Sequence, residues 1–208
     1  SGIVGVPMGM LAGVYLSEYS RTGRGYFGRV VRFVSDVLAG VPSIVVGILG
    51  YELVVVPMGH HSGWSGALAL GFIMVPIIAR TTEEMLRLVP DSYRAGSLAL
   101  GATKSQTIMR VVLPAATGSL VTGVMLALAR VAGETAPLLF TAMGNRELTW
   151  DPSQPFPSLT VQVYNYVTGP YHGQKQVGWA GILVLIALLL VLNALIRFTS
   201  ERAMRGKR

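Results

Sequence analysis

Apolar runs of bilayer-spanning length constrain this chain more than any other feature. A hydrocarbon core takes about 20 mostly apolar helical residues to cross. Val177 to Ile196 meets that length, interrupted only by Asn193, and Val37 to Met58 meets it with Glu52 as its one charge. Ala67 to Ala79 is shorter, with its start expected near Trp64 and its continuation through Arg80. Ala115 to Met143 is longer than a span needs and holds Arg130 and Glu134, while Ile3 to Leu16 is apolar and rich in Gly. Five spans are therefore expected, in an all-α, polytopic transmembrane helical bundle over residues 1–208. Because the chain opens at Ser1 within an apolar run, a further span is expected upstream, making six in the intact subunit.

Composition agrees. Only 13% of the residues are charged, against about a quarter in soluble domains, which disfavours a globular enzyme. The formal charge of +7 raises nucleic-acid binding, but every basic residue except Arg130 lies between or at the ends of the apolar runs. No basic patch is interleaved with the aromatic side chains that a nucleic-acid groove uses, so no nucleic-acid partner is assigned. The absence of cysteine excludes disulfides, thiolate metal sites and a Cys nucleophile. His60 and His61 are adjacent, a spacing that points side chains apart on a strand and off a common helix face. They read as a solvated turn, and no metal or cofactor is assigned.

The Lys/Arg distribution sets orientation, because cytoplasmic loops carry the excess. The segment 17–36 carries Arg21, Arg24, Arg29 and Arg32, and 80–112 carries Arg80, Arg87, Arg94, Lys104 and Arg110. The tail carries Arg197, Arg202, Arg205, Lys207 and Arg208, whereas the turn 59–63 has none and the connection 144–176 has only Arg146 and Lys175. Segments 17–36 and 80–112 and the C-terminus are thus expected on the cytoplasmic side of a plasma (inner) membrane. The outer connection, with Pro152, Pro155, Pro157, Pro170 and several tyrosines, is expected to pack at the membrane surface.

Residues 90–114 carry local helix signals. Asp91 or Ser92 suits a helix start after Pro90, Gly101 suits its stop, and Thr103 with Gln106 fits a capping box opening a second helix. That helix is expected to run to Leu113, with Pro114 marking re-entry into the membrane. A helix pair lying at the lipid interface accounts for this pattern on physical grounds alone.

The run from Arg94-Ala95-Gly96-Ser97-Leu98-Ala99-Leu100-Gly101 to Val111-Val112-Leu113-Pro114 resembles the cytoplasmic EAA loop of ABC importer permeases. The glycine spacing and the closing Leu-Pro match, but Ala95 stands where the family usually has Glu. The resemblance implies a coupling helix that docks on an ATPase subunit, through Ala95, Gly96, Ser97, Leu98, Leu100 and Gly101, with one salt bridge fewer at that dock. The block Ala129-Arg130-Val131-Ala132-Gly133-Glu134-Thr135-Ala136-Pro137-Leu138-Leu139-Phe140-Thr141-Ala142 is similar to the fifth span of PstA-type phosphate permeases. So are Arg80-Thr81-Thr82-Glu83-Glu84, Val89-Pro90 and Trp179-Ala180-Gly181. The likeness implies the permease subunit of an ATP-driven phosphate importer. Its implied partners are a homologous permease, two ATPase subunits, an extracytoplasmic phosphate-binding protein, phosphate and membrane lipid. ATP hydrolysis belongs to a partner, since Gly101-Ala102-Thr103-Lys104-Ser105 lacks the glycine that precedes the lysine of a phosphate-binding loop.

Charges inside apolar runs need a reason to be there. A central charge costs about 2.5–3.5 kcal/mol on insertion scales. Arg130 and Glu134 are four residues apart, so on one helix they would form a self-neutralising pair. By the resemblance, Arg80, Arg130 and Glu134 line the substrate path, with the guanidinium fork taking two phosphate oxygens. Arg80 equally fits a positive residue at a cytoplasmic helix end, and Glu83 with Arg87 reads as a helical i,i+4 pair. Pro76, Pro114 and Pro137 are candidate bends. A permease for another oxyanion, or a passive anion channel, fits much of the same pattern.

Overall fold

The computed structural model describes residues 1–20, 26–145 and 147–205, so Arg21, Arg24, Arg146, Lys207 and Arg208 lie outside the described residues, as do the side chains of Arg202 and Arg205. Among the described residues all regular structure is helical, with no strand. Helix α1 (Gly2–Val14) runs into a π-helical turn (Tyr15–Tyr19), α2 spans Tyr26–Gly40, and α3 (Ser43–Gly50) continues through a second π turn (Tyr51–Val55) into α4 (Val56–Met58). Next come α5 (Gly63–Arg87), α6 (Asp91–Ala99) and α7 (Lys104–Thr107), which passes through a third π turn (Ile108–Val112) into α8 (Leu113–Ala132). Helices α9 (Ala136–Thr141), α10 (Leu159–Thr168) and α11 (His172–Arg205) complete the chain.

Among the described residues, Gly63–Arg87, Lys104–Ala132 and His172–Phe198 are each long and apolar enough to cross a membrane. Tyr26–Gly40 with Ser43–Met58 forms a fourth candidate, bent by 102°. The sequence expectation changes in three places. The run Val37–Met58 is not one helix: Pro42, the N-cap of α3, disfavours helical backbone at Val41 and leaves residues 37–40 on α2. The run Ala115–Met143 is not one helix either, since α8 ends at Ala132 and α9 begins only at Ala136. Conversely, Pro114 does not mark a break. The π turn Ile108–Val112 lies directly before it, and this wider turn accommodates a residue that lacks an N–H and crowds the preceding carbonyl. A π turn precedes Pro57 in the same way.

Helix α1, only 13 residues long, lies against α5 through a stripe of small residues. Gly5, Gly9 and Gly13 are buried at four-residue spacing, the arrangement that lets helix backbones approach closely in lipid. A Cβ added to Gly9 would sit 2.7 Å from Ile78 Cβ and 2.9 Å from the Val75 carbonyl oxygen. Gly9→Ala is therefore expected to force the helices apart and destabilise the subunit by about 1–3 kcal/mol, read as a lowered detergent-unfolding midpoint. An unchanged midpoint would mean the contact is not close-packed.

Helices α5 and α8 share two apolar cores. Leu86, Val89, Val112, Ala116 and Leu120 pack at one end, and Met74, Ile78, Ala127 and Val131 pack nearer the middle. Outward-facing Leu183, Val184, Leu190 and Val191 of α11 stay exposed, as expected of a helix whose solvent is lipid rather than water. At the start of α5, Ser62 and Ser65 form a reciprocal capping box, and Ser65 Oγ also donates to the Thr141 carbonyl at 2.8 Å. The connection after residue 144 is pinned there as well, by Gly63 N–H to Gln154 O (3.0 Å) and Phe156 N–H to Ala142 O (3.3 Å).

Candidate functional site

Helix α8 ends in Arg130-Val131-Ala132, and the Gly133 N–H bonds back to the Arg130 carbonyl at 3.2 Å. The break that follows holds Glu134, whose N–H donates to Val131 O at 3.1 Å and whose carbonyl accepts from Thr160 Oγ1 at 3.0 Å. The helix thus stops before Arg130 and Glu134 can stack as i,i+4 neighbours, and the expected pair does not form. Among the described residues neither side chain makes an ion pair. Instead both border a partly open cavity of about 230 Å³, lined also by Leu38, Val41, Pro42 and Ser43 at the α2–α3 bend and by Ile73 and Ile77 of α5. One water needs roughly 10–15 Å³ by the same kind of measure, so a small hydrated ion fits. Arg130, in the last turn of α8, also sits where a helix dipole favours a cation.

Arg80 is placed differently. It does not line the cavity, and it faces Asp36 at 3.4 Å, Glu84 at 3.7 Å and Glu83 at 3.8 Å. Glu83 is buried and accepts from Arg32 at 2.7 Å and from Arg87 at 2.6 Å. The expected Glu83–Arg87 pair is present, as part of a cluster in which three arginines balance three carboxylates. Arg80 and Asp36 are about half exposed, and pairs of that kind contribute about 0–1 kcal/mol.

The helix pair α6–α7 is as expected in outline. Thr103 and Gln106 form the capping box, with Thr103 N–H to Gln106 Oε1 at 2.9 Å. Gly101 turns the chain at φ +82°, a conformation that strongly favours glycine. The start differs: Pro90 is the N-cap, with no side-chain cap from Asp91 or Ser92. Ala95, Gly96, Leu98, Leu100 and Gly101 are exposed, Leu100 the most at 90%, while Ser97 is half-buried with its hydroxyl 3.0 Å from that of Thr107.

What holds this pair was not visible in the sequence. Arg94 grips Glu18 in the π turn after α1 through two contacts, Nη2 to Oε1 at 2.7 Å and Nε to Oε2 at 3.2 Å. It also donates to the carbonyls of Val89 (2.6 Å) and Leu86 (2.9 Å). Beside it the Lys104 ammonium lies 4.4 Å from the centre of the Tyr19 ring. No local spacing signals a partner 76 residues away. His60 and His61 lie in the turn between α4 and α5, where His60 Nδ1 lies 2.9 Å from Met58 O.

The described residues thus form a bent apolar bundle with a polar, arginine-bordered cavity at its helix breaks and a short helix pair following α5. Residues 5–205 match the family model described as "Binding-protein-dependent transport system inner membrane component", and the chain belongs to that family, within it to the PstA-type branch. It is 44% identical over 195 residues to the phosphate transport system permease protein PstA of Yersinia pestis, covering 94% of this chain and 65% of that one. The corresponding protein of Haemophilus influenzae is 43% identical, over 94% of this chain and 68% of that one. The chain thus spans about two thirds of these relatives' length. Its fold is similar to a chain of the inward-facing MetNI methionine ABC transporter, with TM-score 0.75 and 24% identity over 99% of this chain and 88% of that one.

Proposed function

We propose that this chain is the permease subunit of an ATP-driven phosphate importer, forming the transmembrane anion path with a second, homologous permease. The observation that carries the reading is the likeness to phosphate transport permeases along 94% of the chain. The site supports it. Among the described residues the Arg130 guanidinium makes no ion pair, and such a fork matches two oxygens of a tetrahedral oxyanion. Glu134, bordering the same cavity, keeps the local potential from becoming so positive that the anion cannot leave, since transport requires weak, exchangeable binding. Arg80 supplies a second positive station, where phosphate competes with Asp36 and Glu84.

The exposed residues of α6 and the turn after it, Ala95 to Gly101, serve as the dock for an ATPase subunit. That dock and the C-terminus face the cytoplasm. Two ATPase subunits hydrolyse the ATP, and an extracytoplasmic binding protein delivers phosphate at the side of Ser62 and Phe156. The chain itself is a transport subunit without catalytic residues.

Labelled phosphate uptake into vesicles holding the whole complex tests this reading. ATP-dependent uptake that excess sulfate and molybdate fail to suppress is expected. Suppression by either would reassign the substrate to another oxyanion, and uptake without ATP would make the protein a passive channel.

A further inference from the structure

Two ion pairs from α2 reach α5, and they are unequal. Arg32 donates to Glu83 at 2.7 Å, and the Glu83 side chain is only 3% exposed. One helical turn further along α2, Asp36 meets Arg80 at 3.4 Å through a single contact, with both side chains about half exposed. The residues just beyond Asp36, namely Leu38, Ala39, Val41 and Pro42, form one wall of the Arg130 cavity. The chain then turns by 102° into α3. On α2 the buried contact therefore lies one helical turn further from the cavity wall than the exposed one.

Arg80 has three carboxylates around it, but Glu83 and Glu84 lie on its own helix. Among the described residues only Asp36 comes from another element, so its displacement is the one that changes how two helices sit. We propose that Asp36 is a positioning residue for anion passage. In the empty state it occupies Arg80 and holds the last turn of α2 against α5. Phosphate passing from the Arg130 cavity to Arg80 takes its place, and α2 swings about the Arg32–Glu83 contact to widen the cavity towards Arg80. The pair is suited to such exchange, because an exposed single contact in a high-dielectric setting is readily outcompeted by a multiply charged anion. This inference rests on the transport reading above.

These 208 residues contain no cysteine, so labelling read on the separated subunit and compared with the unsubstituted parent reports the introduced thiol. Ile77 lines the cavity on α5, half-buried, and Ile77→Cys in the whole complex should react slowly with a soluble maleimide until α2 moves. Phosphate is expected to raise the reaction rate several-fold. Adding Asp36→Asn should raise the phosphate-free rate to that level and abolish the further response, while Asp36→Glu restores it. Glu84→Gln, which removes a carboxylate from Arg80 without touching α2, should leave the phosphate-free rate unchanged. Equal phosphate-free rates in the parent and Asp36→Asn would overturn the proposal, as would the same acceleration from Glu84→Gln. The phosphate-free comparison needs no substrate, so it decides the latch even if uptake assays reassign the transported anion.

Discussion

Replacing Arg130 by Gln is expected to lower ATP-driven phosphate uptake by roughly ten- to a hundredfold while the complex stays assembled. A hydrogen bond to a charged group contributes about 1.5–3 kcal/mol, which gives that range. The prediction separates function from folding because Arg130 is exposed and, among the described residues, forms no ion pair within its chain. Surface changes of that kind usually alter stability by no more than about 0.5 kcal/mol. Arg130→Lys keeps the charge but loses the planar fork, so its uptake should fall between the two. Initial uptake rates, with ATPase-subunit retention measured on the same vesicles, decide the matter. Uptake unchanged in Arg130→Gln would remove this residue from the anion path.

Glu18→Gln should do the opposite, damaging structure first and transport as a result. It leaves Arg94, only 11% exposed, without its carboxylate. Breaking a buried ion pair costs about 3–5 kcal/mol. The low end is expected here, since Arg94 keeps the Val89 and Leu86 carbonyls and lies 3.4 Å from Asp91. Residues 90–107 should become sensitive to limited proteolysis, and ATPase subunits should wash off during purification. If the loop stays protected and the ATPase stays bound, the Glu18–Arg94 contact is not what orders it. The contact matters all the more because Ala95 supplies no carboxylate of its own to this loop.

The membrane class, the Thr103–Gln106 cap and the turn at Gly101 were legible in the sequence because each depends on residues a few positions apart. The helix breaks were legible only in part: Pro137 was a candidate bend and sits at the gap before α9, whereas the α2–α3 bend was not expected. Between Ala132 and Pro137 the chain remains mostly small and apolar, so hydropathy runs straight through the gap that separates α8 from α9. Gly133 and Pro137 were the available signals, and Pro42 was the corresponding one at the α2–α3 bend. The spacing of Gly5, Gly9 and Gly13 was open to view as a helix-packing stripe, but it read only as a glycine-rich run. Arg32–Glu83, Asp36–Arg80 and Glu18–Arg94 each join helices remote in sequence, and no periodicity within one segment encodes such a partner. For the site, residue types were readable but their pairing was not. Arg130 and Glu134 share a cavity rather than a bond, and Arg80 belongs to a different neighbourhood.

The unbroken run from α7 to the end of α8 has a mechanical consequence. Lys104–Ala132 is 29 residues of continuous helix, and at about 1.5 Å per residue roughly 40 Å separates the proposed ATPase dock from Arg130. The segment is a stiff lever with the dock at one tip and the guanidinium at the other. A tilt of about 10° about its midpoint would carry Arg130 through roughly 3 Å on those dimensions, comparable to the length of a hydrogen bond. A push from nucleotide binding would then reach the anion without any relay of side chains, and a softer joint at the π turn before Pro114 would spend that stroke on bending.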